Sequence, residues 1–266
     1  MSLIVRIIFI CALLYAGILC WMWIRQEKFL FQPKHENPPA AFEHFRWDRT
    51  IDGFWHEGWF IDKKKPVTVI YHGGNAEDLA NHVEIMFNGL DANVLMINYR
   101  GYGLSAGKPG EKVMVSDAIQ LYDLFRAETG TPAEQLFLMG RSLGTGIAVQ
   151  VAAARPSAGL ILVTPYAKIE DAARFQYPFL PPLNLLLRHR FRSIDYVTTI
   201  QTPALILLAA HDEMIPLQSG ETLAEIYAGT KKIITLPTGH MDIHEIPEYF
   251  AAMNKFIKSA GSVRAN

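Results

Sequence analysis

The chain has 266 residues, half of them hydrophobic, which is enough for one domain of ordinary size with a sizeable core. Its formal net charge of −1 shows no basic excess, which argues against nucleic acid as a partner. Both cysteines, Cys11 and Cys20, lie in the first apolar segment, so the rest of the chain can hold no disulfide framework, Cys-x-x-Cys redox pair or thiolate zinc site.

Residues 7–24 (IIFICALLYAGILCWMWI) run for about 18 residues without a charge. As a helix they span roughly 27 Å, just enough for a hydrocarbon core. Arg6 flanks one end, Arg25 and Lys28 the other, and Trp21 and Trp23 sit near the second boundary, where amphipathic rings favour the membrane interface. A cleaved signal peptide would need a shorter apolar run and a small-x-small exit, and Leu19 before Cys20 disfavours a lipoprotein site. A buried helix of the soluble domain is the other alternative, but hydrophobicity all round the helix favours lipid, so residues 1–28 read as an uncleaved signal-anchor, a single N-terminal transmembrane helix. Its orientation is left open, because the Lys/Arg excess after the helix favours a cytoplasmic domain while signal anchors often translocate long domains regardless. Residues 29–45 read as a linker, since 32–41 (QPKHENPPAA) are rich in proline and polar residues.

Residues 46–62 hold two β-prone runs around Asp52-Gly53, a strong hairpin signal. Strands and helices then alternate: strand 67–71, helix 76–90, strand 92–97, helix 113–128, strand 135–139, helix 143–155 and strand 159–163. After an interruption come strand 204–209, helix 217–227, strand 232–236 and a closing helix 246–257. Short apolar runs between amphipathic helices indicate an α/β domain over 46–266, with a mostly parallel central sheet and helices on both faces. The interruption at about 165–199 contains Tyr177-Pro178-Phe179-Leu180-Pro181-Pro182 and the cluster from Leu183 to Leu187. It reads as a small cap over the site, or else as an irregular crossover.

Gly140-Arg141-Ser142-Leu143-Gly144 places a serine between two glycines at a strand-to-helix junction, the pattern of a nucleophile elbow. The turn is so sharp that side chains two residues either side of the serine would collide. A serine nucleophile needs a base, and the base needs an orienting carboxylate. In parallel sheets both come from loops at the carboxyl ends of strands. Asp212 follows strand 204–209 and His240 follows strand 232–236, giving the chain order Ser, Asp, His. Asp195 is the alternative acid, Asp171 lies in the cap, and His211 reads as a turn residue. His240, Asp242 and His244 form no convincing metal motif, so no metal or organic cofactor is implied. The oxyanion hole requires two N–H donors. One is expected from Leu143; the other from His72-Gly73-Gly74-Asn75, with Gly74 first and Asn75 second. Because no candidate residue precedes His72, a chain starting near Gln32 is expected to stay soluble and active.

From about Arg46 to Ile257 these motifs resemble the α/β-hydrolase superfamily, and residues 98–109 (NYRGYGLSAGKP) narrow the likeness. With the anchor and small cap, the chain is similar to membrane-tethered abhydrolase-domain serine hydrolases, some of them depalmitoylating thioesterases or lysophospholipases, and to serine aminopeptidase-like sequences. Met241 departs from relatives that often carry Asn after the histidine. The expected activity is hydrolysis of esters or thioesters of an apolar acyl group through an acyl-enzyme on Ser142. The expected partners are a small-molecule or lipid-like acyl substrate and the membrane. An amidase or peptidase with the same triad is the nearest alternative; a non-catalytic binding protein on this fold is the alternative of another class.

Overall fold

The structure, a computed structural model, describes residues 2–35, 40–180 and 186–262. Pro181, Pro182, Leu183 and Leu185 of the expected cap lie outside the described residues, as do 36–39 of the expected linker.

Helix α1 (Leu3–Leu30) is one continuous apolar rod. It runs beyond the expected boundary at Lys28, and the next residue, Phe31, is 2% exposed. Phe31 packs edge-on against His189 and Phe191, so the chain after the helix begins as core rather than as free linker. By length and composition α1 could cross a membrane.

Strands β1 (Arg49–Ile51) and β2 (Phe54–His56) form the hairpin, with Asp52 and Gly53 both at positive φ as its tight turn requires. The same stretch yields a third strand, β3 (Gly58–Ile61), which leaves the hairpin and joins the main sheet antiparallel to β5. The main chain order continues through β4 (Thr68–His72), α2 (His82–Gly89), β5 (Asn93–Ile97), α3 (Glu111–Thr129), β6 (Leu136–Arg141) and α4 (Leu143–Ala154). It ends with β7 (Gly159–Val163), α5 (Ile169–Gln176), β8 (Ala204–Ala209), α6 (Leu217–Ile226), β9 (Lys231–Leu236) and α7 (Pro247–Ser262).

The seven strands lie in the order β3-β5-β4-β6-β7-β8-β9, all parallel except β3. Strands β4 to β8 are buried along their whole length because helices cover both faces, which explains their unbroken apolar runs. Tyr122, Phe125, Ile147, Val151 and Leu223 from α3, α4 and α6 fill one face; Val83, Met86, Tyr249 and Met253 from α2 and α7 fill the other. The helix expected over 76–90 is shorter. Asp78 is extended and its side chain caps a 3₁₀ turn at Leu79–Asn81, while the preceding residues stay in a loop held by side chains described below.

Candidate active site

Strand β6 is central, so the turn from β6 into α4 opens at the middle of the sheet's carboxyl edge. Ser142 sits there at φ 50° and ψ −120°, a conformation costly for a residue with a side chain. A Cβ on Gly140 would strike the carbonyl of Gly144, and one on Gly144 would strike the carbonyl of His72, so the crossing of β6, α4 and the β4 loop permits glycine alone at both positions. The turn is held by Ser142 N–H donating to Val163 O at 2.9 Å and by Thr145 N–H and Oγ1 donating to Ser142 O.

Asp212 and His240 leave the same edge from β8 and β9. His240 Nε2 lies 2.9 Å from Ser142 Oγ, and His240 Nδ1 lies 2.8 Å from Asp212 Oδ2. The imidazole and carboxylate side chains are only 6% and 4% exposed, so their hydrogen bond is shielded from water. Asp212 Oδ1 accepts from the N–H groups of Met214 and Ile215 at 2.8 and 2.7 Å, which fixes the acid by backbone. Both ring nitrogens of His240 are thus engaged by Ser142 and Asp212 rather than aimed at Asp242 or His244. Asp195 instead pairs with Arg192 at 2.7 Å on the surface, Asp171 accepts from Ser219 Oγ at 2.6 Å, and His211 is exposed. His72, fully enclosed at the end of β4, is pulled down to about 4 by burial and stays neutral.

The oxyanion donors need a correction. Gly74 N–H donates to Glu77 Oε2 at 2.7 Å and is therefore occupied by a carboxylate. The N–H of Asn75 has no acceptor among the described residues, and that of Leu143, first in α4, has no intrahelical one. Those two are the available donors. A Cβ at Gly74 would press on the Glu77 carboxylate, 3.2 Å from its Oε1, so glycine leaves room for that carboxylate.

Sequence reasoning missed the buried polar network beneath this loop. Glu77 forms an ion pair with Arg141 and also accepts from Tyr71 OH at 2.9 Å. Arg141 in turn donates to the carbonyl of His240 at 3.1 Å, so one pair links the loop after β4, the turn after β6 and the loop that carries His240. Glu213 Oε2 accepts the His240 N–H at 2.9 Å. The available signal was a charged residue, Arg141, at the end of a buried strand, which demands a buried counter-charge. The 98–109 motif braces the loop from the other side: Tyr99 OH donates to Gly73 O and Tyr102 OH to Asn75 Oδ1, both at 2.8 Å. Glu77→Gln should leave Arg141 buried without its counter-charge and lower stability by about 3 kcal/mol or more; denaturant unfolding followed by tryptophan fluorescence measures it.

A cavity of about 240 Å³ opens beside Ser142 and is largely apolar. Helix α5 and the residue after it contribute Ile169, Ala173 and Tyr177, and α1 contributes Leu19, Met22 and Trp23. A chain starting near Gln32 would lack that second wall of the cavity, while keeping Ser142, Asp212 and His240.

Residues 62–195, about half of the chain, match the family model described as serine aminopeptidase, S33. An uncharacterized protein of Mycobacterium tuberculosis is 28% identical over 247 residues, covering 89% of this chain and 88% of that one. The lysophosphatidylserine lipase ABHD12 of Danio rerio is 31% identical over 202 residues, 68% of this chain and 52% of the lipase. Among solved structures, the esterase Pf2001 of Pyrococcus furiosus superposes with a TM-score of 0.70 at 17% identity, over 86% of this chain and 99% of the esterase. That likeness establishes the α/β-hydrolase fold.

Proposed function

Because the chain belongs to the serine aminopeptidase S33 family of α/β-hydrolases, we propose that it is a membrane-anchored serine hydrolase of esters or thioesters carrying an apolar acyl group. The observation that carries this reading is the hydrogen-bonded series Asp212, His240, Ser142 opening into an apolar cavity. Ser142 Oγ attacks the acyl carbonyl while His240 Nε2 takes its proton, and Asp212 holds the tautomer that makes this nitrogen the acceptor. The Leu143 and Asn75 N–H groups receive the developing oxyanion. His240 then protonates the leaving group, and water, activated by the same imidazole, releases the acyl group from Ser142. The name of the zebrafish lipase supports a lipid-like acyl substrate; the family description supports a second reading, an amidase or peptidase.

Fluorophosphonate labelling of Ser142, followed by a panel of acyl esters, tests the proposal. Each methylene buried in the cavity should add up to about 0.8 kcal/mol until it is full. Catalytic efficiency should therefore rise from acetyl toward medium-length acyl esters. A profile that falls steadily beyond acetyl, or turnover of aminoacyl amides alone, would favour the peptidase reading.

The anchor is supported by the 28-residue helix α1, whose apolar side chains, such as Leu3, Ile10 and Leu14, are exposed. Full-length protein should sediment with membranes and be released by detergent but not by high salt. Recovery in the soluble fraction after gentle lysis, or a mature N-terminus beyond Ile24, would refute it.

A further inference from the structure

We infer that the second half of α1 is a wall of the acyl pocket, so that the membrane helix itself sets chain-length selectivity and its substrate is an ester already resident in the bilayer. This rests on the serine-hydrolase reading above.

Leu19, Met22, Trp23, Gln26 and Leu30 follow helical spacing and form one stripe, and all of them line the cavity that contains Ser142. Leu19, Met22 and Leu30 are half-buried there, whereas Trp21 and Ile24, on the opposite side of the same turns, are exposed. Gln26 is the buried side chain of α1, a polar residue on an apolar rod. Its amide nitrogen donates to Leu186 O at 3.1 Å and its oxygen accepts from Arg188 N–H at 2.8 Å, so both ends clamp the cap. A helix serving only as a tether would need no such pairing, since a polar group among lipid or apolar side chains must be satisfied or it costs stability. Below this clamp, Gln32 N–H donates to Asn75 Oδ1 at 2.9 Å, on the oxyanion loop itself. Above it, Tyr15 OH donates to Phe179 O at 3.0 Å.

That upper contact fixes the depth. Tyr15 lies in the middle of the charge-free run 7–24, which is roughly 27 Å long and matches a hydrocarbon thickness of about 30 Å only when taken whole. When α1 is in a bilayer, the cap edge beside Tyr15 is drawn into the apolar layer with it. That edge carries Tyr177 and Phe179, 40% and 64% exposed. An acyl chain can then pass from lipid along the stripe to Ser142 without crossing water, which commits the groove to the chain of a membrane-resident ester.

The test uses full-length protein in phosphatidylcholine vesicles, with 4-nitrophenyl butanoate and dodecanoate as substrates and short- and long-chain alkyl fluorophosphonates as labels. Leu19→Trp and Met22→Trp each fill the stripe, and the second guards against misfolding of the first. Each should lower the dodecanoate-to-butanoate ratio of kcat/KM by about tenfold or more, and slow long-chain labelling in the same proportion. Ile24→Trp, on the outward side of the same helix, should leave the ratio unchanged. Ratios within about twofold of wild type in both filled variants, with labelling of Ser142 intact, would overturn the wall while sparing the hydrolase reading. Absence of wild-type labelling by either phosphonate would overturn the hydrolase reading, and the wall with it.

Discussion

Ser142→Ala should lower kcat for any accepted acyl ester by about 10³-fold or more while leaving the fold intact. The hydroxyl accounts for the whole difference: its partner is His240 Nε2 at 2.9 Å, whereas the turn is held through Ser142 backbone atoms that alanine keeps. The strained backbone at φ 50° is borne equally by either residue. Residual turnover would come from binding and the oxyanion donors acting on attacking water. Purified variant and wild type compared by burst kinetics, with circular dichroism as the folding control, give the answer. Undiminished turnover in the variant would remove Ser142 from the mechanism.

Asp212→Asn should cost about 10⁴-fold in kcat, an effect of the same order. Asparagine keeps an oxygen for the N–H groups of Met214 and Ile215, so the loop holds its shape. Its amide, however, presents a donor to His240 Nδ1 where the carboxylate presented an acceptor. The imidazole then carries its proton on Nε2 and has no lone pair for Ser142. Asp195→Asn is the comparison, because that carboxylate pairs with Arg192 far from the imidazole and should change turnover little. A larger loss from Asp195→Asn than from Asp212→Asn, with both variants folded, would reverse the assignment of the acid.

The parts of this protein that were legible in the sequence are those governed by local sterics and by alternation. Gly140 and Gly144 announce the elbow because a backbone crossing excludes any side chain there, whatever the rest of the fold does. The unbroken apolar runs at β4 to β8 announce buried parallel strands, and chain order alone then puts Ser142, Asp212 and His240 at one sheet edge. The long apolar helix α1 is likewise a matter of length and composition.

Tertiary structure decided what depends on residues far apart in the chain. Whether Gly74 or Asn75 offers a free N–H turns on Glu77, whose charge is balanced by Arg141. No spacing rule encodes that pair, because its energy comes from two charges buried together by the loop after β4 and the end of β6. Chain order already set Asp212 ahead of Asp195; the fold adds the 2.8 Å contact from its carboxylate to His240 Nδ1. The packing of α1 lies furthest from sequence reading. Hydropathy is uniform around that helix, so its sides look alike until Gln26 meets Leu186 and Arg188.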